Sequence, residues 1–121
     1  MRKVFEPVGV PAEGERFSGP IVVGTGMTEH LWTDSHAYEV IAVRDQKHVT
    51  VRRLDHEKAP GAEWYQNDWV LWSDDSLPTS DMIRIGDIWF WTWRDSDTGR
   101  MRRSKANVSF GWAEHYFDYQ F

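Results

Sequence analysis

The sequence predicts a mostly-β domain: a single small antiparallel sheet or a barrel-like Greek key, with at most one short helix. Three observations carry this. β-Branched and aromatic residues dominate the apolar positions, side chains alternate with a period of two in KHVTVRRL, EWYQNDWVLW and IWFWTWR, and these runs recur at hairpin spacing between turn residues. An i, i+3, i+4, i+7 apolar series with a cap and a stop is found only weakly, around Thr28–Leu31 and Trp112–Tyr119.

Taken in order, residues 1–20 hold Pro7, Pro11 and Pro20 with Gly9, Gly14 and Gly19, a density that breaks regular structure and predicts an extended arm. Residues 21–121 form the β-rich domain. Ile21 to Val23 starts a strand, and Gly24 and Gly26 allow a bend or bulge. Tyr38 to Val43 and His48 to Arg52 read as a hairpin across a polar turn. A loop at 55–62, broken by Pro60-Gly61, leads to a strand over 63–72. After SDDSLPTSD comes IRIGDIWFWTWR, interrupted at Gly86, and then a DSDTGR turn into RMRRSKANVSF. In the last segment, alternation puts His115, Phe117, Tyr119 and Phe121 on one side.

The bulk properties narrow the function. A chain of 121 residues falls in the single-domain range, and its 8 Trp, 6 Phe and 4 Tyr are enough to fill a small core. A net charge of −5 argues against a general nucleic-acid coat, which needs an excess of Lys and Arg. Cysteine is absent, so disulfides and thiolate chemistry are excluded. Neither a signal peptide nor an apolar run of membrane length is visible, and the expected location is the cytoplasm.

Several short motifs invite chemistry. The five histidines never fall at metal-ligand spacing, and Asp34-Ser35-His36 reads as a turn, because catalytic triads are assembled in space and not in line. Gly24-Thr25-Gly26 lacks the pattern of a phosphate loop. The cluster Arg100, Arg102, Arg103 and Lys105 is either a solvated strand edge or a phosphate holder. In the strand Ile88 to Arg94, three indoles (Trp89, Trp91 and Trp93) project from one face. They can serve as core, as an oligomer interface, or as a platform for planar rings. A base stacked on Trp91, with phosphates reaching Arg94 and the 100–105 cluster, is one coherent arrangement.

The order VGTGMT, WTDSHAYEVIAV, HVTVRRLD, NDW, WTWR and FGWAEHYFDYQF resembles a widespread group of small bacteriophage proteins with a VGMGAT-like start and a YYDYSF-like end. The resemblance covers about residues 21–121 and rests most on Gly111, Tyr116, Asp118, Tyr119 and Phe121. It extends to the Thoeris anti-defence sponges, which sequester cyclic ADP-ribose isomers made by bacterial TIR-domain immune enzymes. Such a likeness implies a non-enzymatic protein of the infected host's cytoplasm that binds a small cyclic nucleotide and needs neither cofactor nor metal. The ligand residues expected on this reading are His36, Trp69, Trp91, Arg94, Arg102, Arg103 and Asn107. The chain departs from the pattern at Ser35-His36 and Ala113, where the family places arginines suited to phosphate or ribose. Two other classes compete: a protein–protein module that inhibits a host enzyme, and an OB-like single-stranded nucleic-acid binder, which the net charge disfavours. Self-association into a dimer or higher ring is expected from so much aromatic surface.

Overall fold

The computed structural model describes residues 2–119 and is all-β. Ten strands are present among these residues: β1 (Arg2–Val4), β2 (Gly26–His30), β3 (Ser35–Asp45), β4 (His48–Arg53), β5 (Asp55–Lys58), β6 (Trp69–Asp74), β7 (Thr79–Ile85), β8 (Ile88–Arg94), β9 (Met101–Lys105) and β10 (Val108–Phe110). They form a 7-stranded antiparallel sheet, β10-β2-β3-β4-β7-β8-β9, and a 3-stranded one, β1-β6-β5. No helix of the described residues is long and apolar enough to cross a membrane.

The two edge strands of the large sheet, β9 and β10, are consecutive in sequence, separated only by Ala106 and Asn107. In a flat sheet with strands ~4.8 Å apart, these edges would stand about 29 Å from each other. Three Cα–Cα steps reach at most ~11 Å. The sheet therefore curls into a half-barrel, and the connection bonds to both sides: Ala106 N donates to Trp89 O at 2.9 Å and His30 N donates to Asn107 O at 2.8 Å. Curling brings together rings from strands that are not neighbours, with Trp91 5.4 Å from Tyr38 and Trp89 4.9 Å from Phe110.

The concave face holds the core. Val40 pairs with Val51, Val49 with Met82, and Met82 with Trp91, so one side of each strand contributes to a cluster with Met27, Ile21 and Phe110. On the opposite face the small sheet covers the start of β3. There Glu39 is 8% exposed, and its carboxylate accepts from Ser73 Oγ at 2.7 and 2.9 Å.

Four expectations need correction. The loop expected over 55–62 begins with a strand, β5, because Asp55–Lys58 pair antiparallel with Trp69–Trp72 of β6. The strand expected over 63–72 begins only at Trp69, because the Asn67 side chain is committed to the main chain of Phe117 and residues 63–66 form a turn through Glu63 N and Gln66. The alternating C-terminal segment is irregular over 111–119 apart from a single bridge, Ser35 to Tyr116; Phe121 lies outside the described residues. Ile21 to Val23 precedes β2 as a loop, in which Thr25 N closes a turn onto Val22 O. The arm at 1–20 contributes β1 and, farther on, Phe17, which packs against the core.

Gly26 lies where the C-terminal segment crosses β2, and a Cβ there would stand 2.8 Å from Ala113 N and 2.9 Å from Trp112 C. Both are main-chain atoms that cannot rotate away. Gly26→Ala is expected to lower the unfolding free energy by roughly 1–3 kcal/mol, as overpacking does. Urea denaturation measures this, with Gly61→Ala separating the crossing from general glycine loss, since a Cβ at Gly61 meets nothing within 4 Å although its φ of 81° adds strain of its own.

Candidate ligand-binding site

At the Trp89 end of the half-barrel the N-terminal arm is strapped over the sheet. The Gln46 side chain binds the main chain of Ile21 twice: Ile21 N donates to Gln46 Oε1 at 2.7 Å, and Gln46 Nε2 donates to Ile21 O at 2.9 Å. Phe17 lies on Gly111, whose φ of 109° and missing Cβ both matter, because a Cβ would meet the ring at 2.9 Å. Between arm and sheet remains a cavity of about 800 Å3, walled by the rings of Phe17, Trp89, Phe110 and Trp112.

Arg16 and Arg84 also line this cavity, with Glu15, Asp87 and Ser109 around it. Arg84 sits opposite Trp89 because the hairpin turns through Gly86-Asp87, pairing Ile85 with Ile88 and Arg84 with Trp89. Its Nε is buried and has no hydrogen-bond acceptor, while Arg16 and Arg84 form no ion pair with a described residue. An unmatched buried donor costs on the order of 1–3 kcal/mol, more when charged. An anionic oxygen entering the cavity would offset that cost, and the surrounding rings would take a planar group.

A second constellation runs along the other end. Glu29, His36 and Tyr38 follow one another on paired strands: Tyr38 Oη donates to Glu29 Oε1 at 3.3 Å, and His36 Nδ1 is 3.4 Å from the same oxygen. Beyond His36 come His115, with ring centroids 6.3 Å apart, and His56, stacked on His115 at 3.6 Å. Trp69 meets the His115 ring edge-on at 4.6 Å, and Lys58 Nζ lies over Trp69 at 4.3 Å and Tyr119 at 4.6 Å.

Polar side chains hold the C-terminal segment in this position by substituting for a neighbouring strand. Thr28 Oγ1 donates to Trp112 O and accepts from Glu114 N, both at 3.0 Å. Asp34 Oδ1 accepts from Asp118 N at 2.9 Å, and Asn67 bonds both the N–H and the C=O of Phe117. These bonds join VGTGMT, TDSHA and NDW to the C-terminal motif. Burial first, and then the electrostatic influence of His56, His36 and Arg53, lower the His115 pKa to about 4; burial and Arg53 also lower that of His56. Both rings are neutral at pH 7, and among the described residues no group of three or more His, Asp or Glu is placed to hold a metal ion.

The ligand residues expected from sequence fall in separate places. His36 and Trp69 meet through His115, and Trp91 packs on Tyr38 at the core. Arg94 and Arg103 project from the face opposite Trp91: Arg94 Nη1 donates to Gly99 O at 2.6 Å, and the Arg103 guanidinium lies 5.0 Å from the Phe90 ring. Arg102, the register partner of Trp93, shares its face, but its Nε is engaged by Asp95 at 3.2 Å. Asn107 sits in the edge connection, where its carbonyl accepts from His30 N. A base on Trp91 with phosphates on Arg94 is thus not one site, since strand alternation sends the two side chains to opposite faces. Arg84 was missed in the sequence, although a two-residue turn at Gly86-Asp87 already places it beside Trp89.

No protein-family model matches the chain, and neither the curated proteins nor the solved structures include a match.

The stacked imidazoles make stability depend on pH. Because the folded pKa values lie below the ordinary histidine value, the unfolded chain takes up protons first as pH falls. The contribution of these two rings is fully present above about pH 6.5 and is lost as pH falls to about 4, where His115 sets the lower bound. Urea midpoints measured over this window should fall with pH, and His115→Gln should flatten the fall. The carboxylates with lowered pKa, Asp45, Asp74 and Asp95, act below it.

Proposed function

We propose that the protein is a non-catalytic binder that captures a small planar anion of the cyclic-nucleotide class, as expected of a phage anti-defence sponge. The observation that carries this reading is Arg84, whose buried Nε has no acceptor, beside the exposed Arg16 in a cavity of about 800 Å3 walled by four aromatic rings. Rings stack a base, and guanidinium groups bind phosphate oxygens through a planar fork. The volume lies within the range of small-molecule sites. Sequestration asks only for tight binding and slow release, so no general base or nucleophile is required. The resemblance to phage proteins supports the same class, although the residues it pointed to are not those that line the cavity.

Thermal shift and tryptophan fluorescence against cyclic ADP-ribose isomers and cyclic di- and trinucleotides test this reading. Binding at a hundredfold excess over Kd adds about 2.7 kcal/mol to apparent stability. Arg84→Gln should remove that gain and leave the unliganded protein at least as stable, because it also removes the unmatched buried donor. A full panel without response, or an unchanged response in R84Q, ends the proposal.

A second reading has its own observation. Trp32, at the tip of the β2–β3 hairpin, is 96% exposed beside Leu31 at 45%, and Trp64 is 70% exposed. Exposed indoles of this kind anchor protein partners, a host enzyme or a second copy of the chain. Light scattering of wild type and Trp32→Ala distinguishes self-association from a monomer awaiting another partner.

A further inference from the structure

The Trp93 end of the half-barrel has a different chemistry from the Trp89 end. A cleft of about 440 Å3 opens there between Tyr38, Trp91 and Trp93, with Glu29, Thr79 and Ser80 completing its wall. Trp91 and Trp93 share the concave face by alternation, and Tyr38 is brought against Trp91 by the curl of the sheet. Trp93 remains 47% exposed, so the cleft is accessible.

No lysine, arginine or histidine lines this cleft. Its carboxylates are Glu29 and Asp81, and the Asp81 carboxylate is already taken by Thr50 Oγ1 at 2.7 Å on the other side of the sheet. Glu29 is the other charge, touched among the described residues only by Tyr38 and His36. Its side chain is only 18% exposed, and its two neighbours are distant for a carboxylate: Tyr38 Oη at 3.3 Å and His36 Nδ1 at 3.4 Å. Burial first, and then the Glu29 charge, raise the Tyr38 pKa to about 12, while Arg53 acts in the opposite direction. The nearest cations stand at the border: Arg53 is the register partner of Tyr38, and Arg102 is turned to Asp95.

We infer that this cleft is a second ligand site, for an organic cation of the alkylammonium type, independent of the cavity beside Trp89. The negative faces of indole and phenol rings attract a cation within about 6 Å of their centroids, most strongly when water is excluded. Glu29 supplies the opposing charge at the floor. The hydroxyls of Thr79 and Ser80 accept from a bound N–H group, where there is one.

Choline is the probe, with 3,3-dimethylbutanol as its neutral isostere. Tryptophan fluorescence is titrated at constant ionic strength, adding sodium chloride as needed. Choline should bind saturably in the millimolar range, and the isostere at least tenfold more weakly. Glu29→Gln and Trp93→Ala should each weaken choline by about tenfold, while Tyr38→Phe, which keeps the ring and releases Glu29, should leave affinity equal or higher. Circular dichroism of each variant verifies the fold. Arg84→Gln should not change choline binding, so this site and the cavity at Trp89 stand or fall separately. Equal affinity for the isostere, no saturation by 100 mM choline, or unchanged affinity in a folded E29Q overturns the inference.

Discussion

Everything in this molecule depends on the short span between β9 and β10. Two residues cannot bridge a flat sheet of seven strands, so Ala106 and Asn107 convert a meander into a half-barrel. Curvature then decides which side chains become neighbours. Tyr38 and Trp91 lie on strands separated by β4 and β7, yet their rings are 5.4 Å apart. The three indoles of β8 are consequently spread along the interior instead of forming one platform. Trp89 faces the arm and Phe110, Trp91 is packed in the middle, and Trp93 reaches the open end.

That distribution gives the interior two ends with different linings, arginines beside Glu15 and Asp87 at one and no lysine, arginine or histidine at the other. Arg84 and Arg16 stand near Trp89, and Glu29 stands near Trp93. Both ends are walled by rings, so polarity and not shape distinguishes them. The contrast arises from pairing: the turn at Gly86-Asp87 fixes Arg84 against Trp89, and the β2–β3 register fixes Glu29 against His36.

Strand character was legible because alternation and β-branched residues act locally. The hairpins β3–β4 and β7–β8 could be read from the runs VIAV, HVTV, IRI and IWFWTW, whose turns are short and polar. What could not be read is set by distant partners. The segment 63–68 alternates like a strand but ends in a turn, because Asn67 bonds Phe117 fifty residues away. The aromatic C-terminal run likewise has strand composition, but its main chain is bound by the side chains of Thr28, Asp34 and Asn67. Site residues were harder still. Parity along β8 already separates Trp91 from Arg94, whereas the curl that brings Phe17 and Phe110 to Trp89 is a property of the whole sheet.

Closure by the last strand also has a consequence for how the chain is made. β2 must wait for β10, whose pairing of Met27 with Phe110 joins segments more than eighty positions apart. During synthesis, one edge of β2 is therefore open until Val108–Phe110 emerge from the ribosome. Such an edge is a template for wrong strand pairing, and the nascent chain carries it for most of its length. The Thr28 hydroxyl and the Gly26 crossing also wait for the chain end, since both meet Trp112 to Glu114. The half-barrel, and with it the cavity beside Trp89, is therefore complete only when the last strand and the segment after it are in place.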